Sequence, residues 1–264
     1  MKKILVVGLL LSLGWTELHA QILHTESFNV ILDTAERVKG NFTPNFNFKN
    51  LKKDLFEFEN TSDISVKIGK DAFTIANRVN LSKFGEETIQ SGGFIYAEYR
   101  RSTSKRWLIE PYLQYHWAEI RGLDRKFAVG SNVRYRFYQT NKLGIFGGIG
   151  PFYEFERWNY EGVLEENRPM IIDPIENQNF RLGAYVSYKQ ELFSTIFIDF
   201  SFYYQNHIDS WFSDPRIGTS TRLSYQLTEY VDLALLYQSI YDPNPVVPID
   251  KIFRDINFGI SVSF

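Results

Sequence analysis

Residues 255–264 read D-I-N-F-G-I-S-V-S-F, and the reading of this stretch decides the fold. Ile256, Phe258, Ile260, Val262 and Phe264 fall on one face of an extended strand, and Asn257, Gly259, Ser261 and Ser263 on the other. Side chains of a strand alternate between its faces, so this segment has one apolar and one polar side. The last residues of a soluble domain are usually polar and frayed. An apolar face that runs to a terminal aromatic suits a closing strand of a membrane barrel, with lipid on one side and a polar lumen on the other.

The same alternation fills most of the chain. Phe42, Phe46 and Phe48 alternate with Asn41, Thr43, Asn45 and Asn47. Ile109, Leu113 and Tyr115 alternate with Glu110, Gln114 and His116, and Val129, Val133, Tyr135 and Phe137 with Asn132, Arg134 and Arg136. Leu182, Ala184 and Val186 oppose Arg181, Tyr185 and Ser187, while Ile198, Phe200 and Phe202 oppose Asp199 and Ser201. Such long alternating runs fit tilted membrane strands better than the shorter strands of soluble sheets. The pattern predicts an all-β fold, a transmembrane antiparallel up-and-down β-barrel of about twelve strands. An even count is the rule for bacterial single-chain barrels. Short connections at residues 69–71, 102–106, 139–142, 190–194 and 228–229 are expected to alternate with longer ones at 82–90, 159–178 and 242–253. That asymmetry is expected of periplasmic turns and outer loops.

Upstream of the barrel, Lys2 and Lys3 precede an apolar run from Ile4 to Leu13 and a cleavage-like Leu18-His19-Ala20. Residues 1–20 therefore read as a signal peptide, 21–37 as a short N-terminal periplasmic segment and 38–264 as the barrel. No later stretch is apolar enough for a spanning helix, so an exported membrane protein of this sequence must cross with strands, in the bacterial outer membrane. The expected partners are outer-membrane lipid and the barrel assembly machinery, which would read the tail of Phe258, Ile260, Val262 and Phe264.

Composition narrows the function classes. A net charge of −2 argues against a nucleic-acid partner. The absence of cysteine removes disulfides, thiolate metal sites and cysteine nucleophiles. Aromatics make up 17% of residues at a mean hydropathy of −0.25, a combination that suits aromatic girdles around a polar interior. Trp107, Trp117, Tyr135, Trp158 and Trp211 are the expected interface anchors.

The candidate functional residues are the charges on the lumen face. Alternation assigns Glu98, Arg100, Glu110, His116, Arg134, Arg136, Glu154, Glu156, Arg181, Asp199 and Arg222 to one network. Both signs occur on neighbouring strands, so the side chains are expected to pair, because isolated charges in a poorly hydrated lumen are costly. Eight strands leave a lumen just filled by side chains and sixteen leave a channel; about twelve lies between. Two readings stay open, an occluded interior and a narrow hydrated pore.

Catalytic candidates are sparse. His207 and Ser210 could be imagined as the base and nucleophile of an outer-membrane lipid hydrolase, the first alternative function. The phase of the strand turns His207 to the lumen, away from lipid, and no catalytic residue is assigned. No histidine stands in metal-ligand spacing, and neither a metal nor a cofactor is implied. Gly147-Gly148-Ile149-Gly150 lacks the Lys-Ser/Thr of a phosphate loop and reads as a place where the strand bends. The second alternative is a secreted soluble β-barrel that binds an apolar ligand.

Five stretches in order carry a family resemblance. They are R-K-F-A-V-G-S-N-V-R-Y-R-F (125–137), G-G-I-G-P-F-Y-E-F-E (147–156), R-L-G-A-Y-V-S-Y-K (181–189), S-D-P-R-I (213–217) and Y-D-P-N-P (241–245). Together they resemble the YdiY-like salt-induced outer-membrane proteins, a domain family of unknown function. The resemblance spans roughly residues 90–264. It implies an outer-membrane barrel with a structural, envelope-stress or narrow-pore role, and supplies no catalytic residues.

Overall fold

The computed structural model describes residues 37–50 and 52–263. The expected signal peptide, residues 21–36 of the expected periplasmic segment, and Phe264 lie outside the described residues. Twelve strands follow one another: β1 (Val38–Asn50), β2 (Asp54–Ile68), β3 (Asp71–Phe84), β4 (Glu87–Ser102), β5 (Trp107–Ala118), β6 (Leu123–Gln139), β7 (Leu143–Trp158), β8 (Ile175–Phe193), β9 (Ile196–His207), β10 (Arg216–Gln226), β11 (Val231–Tyr241) and β12 (Ile252–Ser263). Each pairs antiparallel with the next, and β1 meets β12 to close the barrel. Closure matters because lipid offers no hydrogen bonds, so every backbone group of a spanning strand must find its partner in the wall.

The faces sort as the alternation requires. Phe46, Phe48 and Phe258 are 68%, 64% and 69% exposed on the outer surface. Glu98, Glu110, Arg134, Glu154 and Glu156 are buried on the inner one. This inverts a soluble core and contradicts the soluble-barrel alternative, which would have to expose those aromatics to water. Register shifts fall near strand ends, at Ser82/Lys83, His116/Ala118, Leu123/Arg125, Arg136/Tyr138 and Glu191/Phe193. Bulges at the rims of a barrel add local twist where the strands leave the bilayer.

The connections divide between two ends. At the end where β1 begins and β12 finishes, called the terminal end, they are short: residues 69–70, 103–106, 140–142, 194–195 and 227–230. At the opposite, loop end the long ones all belong to the second half of the chain: 159–174, 208–215 and 242–251. The expected long connection at 82–90 is not there. β3 runs to Phe84 and β4 starts at Glu87, and the reversal is made by Gly85 and Glu86 with Gly85 at φ 65°. The charge of Lys83 and Glu87 suggested a loop, but both lie in strands, and only Gly85 and Glu86 form the turn.

The loops of the second half fold back over the barrel mouth. Trp158, Ala118, Leu123, Val163 and Val247 form a buried apolar cluster there, with Tyr160, Ile175, Val246 and Ile249 packed around it. Trp158 is thus fully buried and is not the interface anchor expected of it. It shares the parity of Glu154 and Glu156, which turns it inward. Trp107 does lie on the outer face, its ring 4.6 Å from that of Tyr135 near the terminal end.

Candidate functional site: the charge-paired lumen

Two clusters of charge lie in the lumen, each joining neighbouring strands and one strand that is not their neighbour in the wall. The first lies below the loop cap. Lys126 on β6 holds Glu154 and Glu156 on β7 at 2.7 and 2.8 Å. Arg181 on β8 binds Glu154 from the other side. Arg216 on β10 reaches Glu154 at 3.4 Å and Glu156 at 3.8 Å, and binds Asp242 in the β11–β12 loop at 3.0 Å. Glu154 therefore has three cationic partners, and Arg216 fastens the loop to the barrel interior. Charge-assisted bonds of this kind are short and directional, and they replace the water that burial removed.

The second cluster joins β4, β5, β6 and β8 nearer the terminal end. Arg100 bonds Glu98 at 2.9 Å and Glu110 at 2.8 Å. Arg134 approaches Glu110 at 3.3 Å and lies over the Phe146 ring at 4.2 Å. Tyr96 donates to Glu98 at 2.6 Å and Tyr185 to Glu110 at 2.5 Å. Gly148 makes room for this arrangement. A β-carbon there would meet the Tyr185 ring at 2.3 Å, so only glycine lets that ring lie flat against β7.

The remaining candidates lie apart from these two clusters. Asp199 pairs with Lys189 at 2.8 Å and stands opposite Arg222 in the ladder. Arg222 donates to Ser224 and Ser261. His116 stands opposite Lys126 on β6. Arg136 sits by the 103–106 turn, where it donates to the Lys105 carbonyl at 3.3 Å. His207 stands opposite Arg181. Among the described residues no hydrogen bond joins it to Ser210, whose carbonyl accepts from Asn206.

Lys126, Asp242 and Arg121 are missing from the lumen face that alternation predicts, whereas Lys189 and Arg216 carry its phase and are buried. Lys126 has the parity of Ala128 and Arg134, so its phase could have revealed it. Asp242 lies in a loop and has no phase. Arg121, in a short 3-10 turn between β5 and β6, is 1% exposed, and its guanidinium lies 3.9 Å over the Phe253 ring. Among the described residues none of its three side-chain nitrogens has a hydrogen-bond partner. Burial pushes this guanidinium down to about 9, with Asp242 and Glu156 opposing the shift and Arg216 adding to it.

A barrel with a paired-charge interior is the setting for the comparison with known proteins. Residues 63–262 match the family described as "Protein of unknown function, DUF481". The chain belongs to the DUF481 family. The match covers the barrel from β2 to β12, in agreement with the resemblance read from the sequence. Among solved structures, the DUF481 chain is similar to the KdgM porin, with 11% identity and a TM-score of 0.46 over 86% of this chain and 99% of that one. It is similar to the NanC porin, with 12% identity and a TM-score of 0.46 over 86% and 98%. It is also similar to the Pseudomonas putida toluene transporter TodX, with 8% identity and a TM-score of 0.38 over 84% and 78%. No curated protein matches this DUF481 chain in sequence.

Proposed function

We propose that this DUF481 protein is a structural barrel of the bacterial outer membrane whose lumen is held shut to freely diffusing solutes. The observation that carries the reading is Glu154, which is fully buried and bound by Lys126, Arg181 and Arg216 from three other strands. A general pore keeps such side chains apart and wet; here they neutralise one another across the interior. Hydrocarbon outside and paired charge inside both favour a rigid wall element. In this reading the termini lie on the periplasmic side and the loop cap outside. The outward row of Phe258, Ile260 and Val262 on β12 supports recognition of this stretch by the barrel assembly machinery.

Planar-bilayer recording of refolded protein tests the closed lumen. Silence, or rare brief openings, is the expected result, with steady conductance appearing in Glu154→Ala. Steady ohmic channels in the wild type would overturn it. A narrow pore is the second reading, favoured by one row of small residues: Ser224 on β10, Ala234 on β11 and Gly259 on β12 stand side by side. If that row lines a path, Ala234→Trp will abolish the wild-type current. Sedimentation with outer membranes and heat-modifiable gel mobility test the location.

A further inference from the structure

The terminal-end rim of the barrel is unevenly charged. The connections that join β2 to β3, β4 to β5 and β6 to β7 carry Lys70, Lys105, Arg106 and Lys142, and Arg101 stands near the end of β4; all five are exposed. The connections at 194–195 and 227–230 carry no base, and Glu229 is their only charge. Two acids temper the basic side. Glu191 pairs with Lys142 at 3.2 Å, and Asp71 stands opposite Arg101 in the ladder and accepts from Tyr99 at 2.6 Å. The excess therefore centres on Lys105 and Arg106, consecutive residues of the β4–β5 turn.

That turn is held in one course. Thr103 Oγ1 donates to the Trp107 carbonyl at 2.9 Å, and Ser104 Oγ accepts from the Arg106 and Trp107 amides at 3.3 and 3.1 Å. From β6 the Arg136 amide donates to the Arg106 carbonyl at 2.9 Å, and the Arg136 guanidinium donates to the Lys105 carbonyl at 3.3 Å. The Arg106 side chain lies on the outer face, where Nη1 donates to the Tyr135 hydroxyl at 3.1 Å. The Tyr135 ring is 4.6 Å from that of exposed Trp107, and exposed Phe137 meets it edge-on at 5.1 Å. Nε and Nη2 of Arg106 have no hydrogen-bond partner among the described residues.

A guanidinium fixed beside a row of outward aromatics stands where hydrocarbon gives way to headgroups. The group that meets it there is a phosphate, which a guanidinium binds through parallel N–H donors. Net charge then selects among heads. The surrounding Lys70, Arg101 and Lys105 repel the ammonium of a zwitterionic lipid and favour a head that is anionic overall. An acidic protein surface fits less well, because Tyr135 holds the guanidinium against the lipid-facing wall and not out in the aqueous phase.

We infer that the β4–β5 turn and the outer face of β5 and β6 form a binding site for an anionic phospholipid. Its phosphate sits on Arg106 and Lys105, and its chains run along Trp107, Phe137 and the exposed Ile109 and Val133, which are ladder partners. Assignment of the site to the periplasmic leaflet rests on the orientation proposed above; the binding itself does not.

The test places the barrel in nanodiscs of phosphatidylethanolamine with phosphatidylglycerol as the minor lipid. A photo-reactive benzoylphenylalanine at Phe137 captures phosphatidylglycerol well beyond its share of the bilayer. The same probe at exposed Tyr225 on β10, beside the turns that carry no base, captures the two lipids in proportion. Arg106→Gln lowers the preference at Phe137 about fivefold. The inference falls if capture at Phe137 follows bilayer composition, or if the Tyr225 probe shows the same preference. It falls equally if Arg106→Gln, with its heat-modifiable mobility intact, leaves the preference unchanged, or if the Phe137 probe in whole envelopes yields a protein in place of phosphatidylglycerol. Orientation is read separately, by protease cleavage of the 159–174 loop on intact cells. Resistance there with cleavage in spheroplasts would reverse the orientation and leave the nanodisc result as it stands.

Discussion

The Tyr185 hydroxyl on β8 donates to Glu110 on β5 at 2.5 Å, although β6 and β7 separate the two strands in the wall. The bond spans the lumen and gives a buried carboxylate a neutral donor beside its two arginines. Tyr185→Phe keeps the ring and removes the donor. Loss of about 1–3 kcal/mol in detergent-based urea unfolding is expected, the cost of leaving a buried acceptor unpaired. Gly148→Val should cost at least as much by displacing the same ring. Equal stability of Tyr185→Phe and wild type would count against a stabilising bond here.

Charge reversal should depend on depth and not on charge alone. Arg134 is buried between Glu110 and Phe146, whereas Arg136 is half-exposed beside the 103–106 turn. Arg134→Glu is expected to lower stability by about 3–5 kcal/mol, because it places two carboxylates together in the lumen. Arg136→Glu should cost about 1 kcal/mol or less, as solvent screens it. Thermal unfolding of the two variants checks the ratio.

Trp158 holds the loop cap. Trp158→Ala removes the centre of the apolar cluster, with an expected loss of about 3–5 kcal/mol in the cap. The strands below rest on their own ladder, so the barrel should keep its heat-modifiable mobility. Protease cleavage within residues 159–174 reads the difference, and unchanged cleavage would place the stability of the cap elsewhere.

Arg121 is a cost built into the same cap. Its charge is buried over Phe253 with no hydrogen-bond partner among the described residues, and burial holds it near 9 against an ordinary 12.5. For a base held low, the folded state is penalised wherever both states are protonated, that is below about 9. Between about 9 and 12.5 the folded state releases its proton first, and stability rises with pH. Cap protection against hydrogen exchange should therefore increase from pH 8 to pH 11, after correction for intrinsic exchange. Arg121→Met keeps the volume without the charge. It should stabilise the cap by about 1–4 kcal/mol and flatten that pH response.

Much of this molecule is legible in its sequence because a membrane barrel repeats one rule at every residue. Parity alone assigns Glu98, Glu110, Arg134, Glu154 and Arg181 to the interior, and it would have done the same for Lys126 and Trp158. Parity fails where the chain leaves the wall. Asp242 and Arg121 sit in connections, whose geometry comes from contacts between distant loops. The β3–β4 reversal shows the opposite failure: Lys83 and Glu87, polar residues beside the Gly85-Glu86 turn, lie in strands. Pairing choices are also invisible to phase. Nothing in the order of residues says that Arg216 reaches Glu154 and Asp242 together, because that depends on strand tilt and on the width of the lumen.

The two register pairs between β1 and β12, Asn41↔Ser263 and Phe42↔Val262, bear on how the barrel comes to exist. Every other pairing joins strands that are consecutive in the chain, and each can zip from its own turn. The last must bring together residues 41 and 263, near opposite ends of the polypeptide, against the largest loop-closure entropy in the molecule. High separation in sequence slows folding. A seam of two pairs gives little return before it is complete, so closure is expected to be the final and rate-limiting event, and the curled but unsealed sheet the species that accumulates before it.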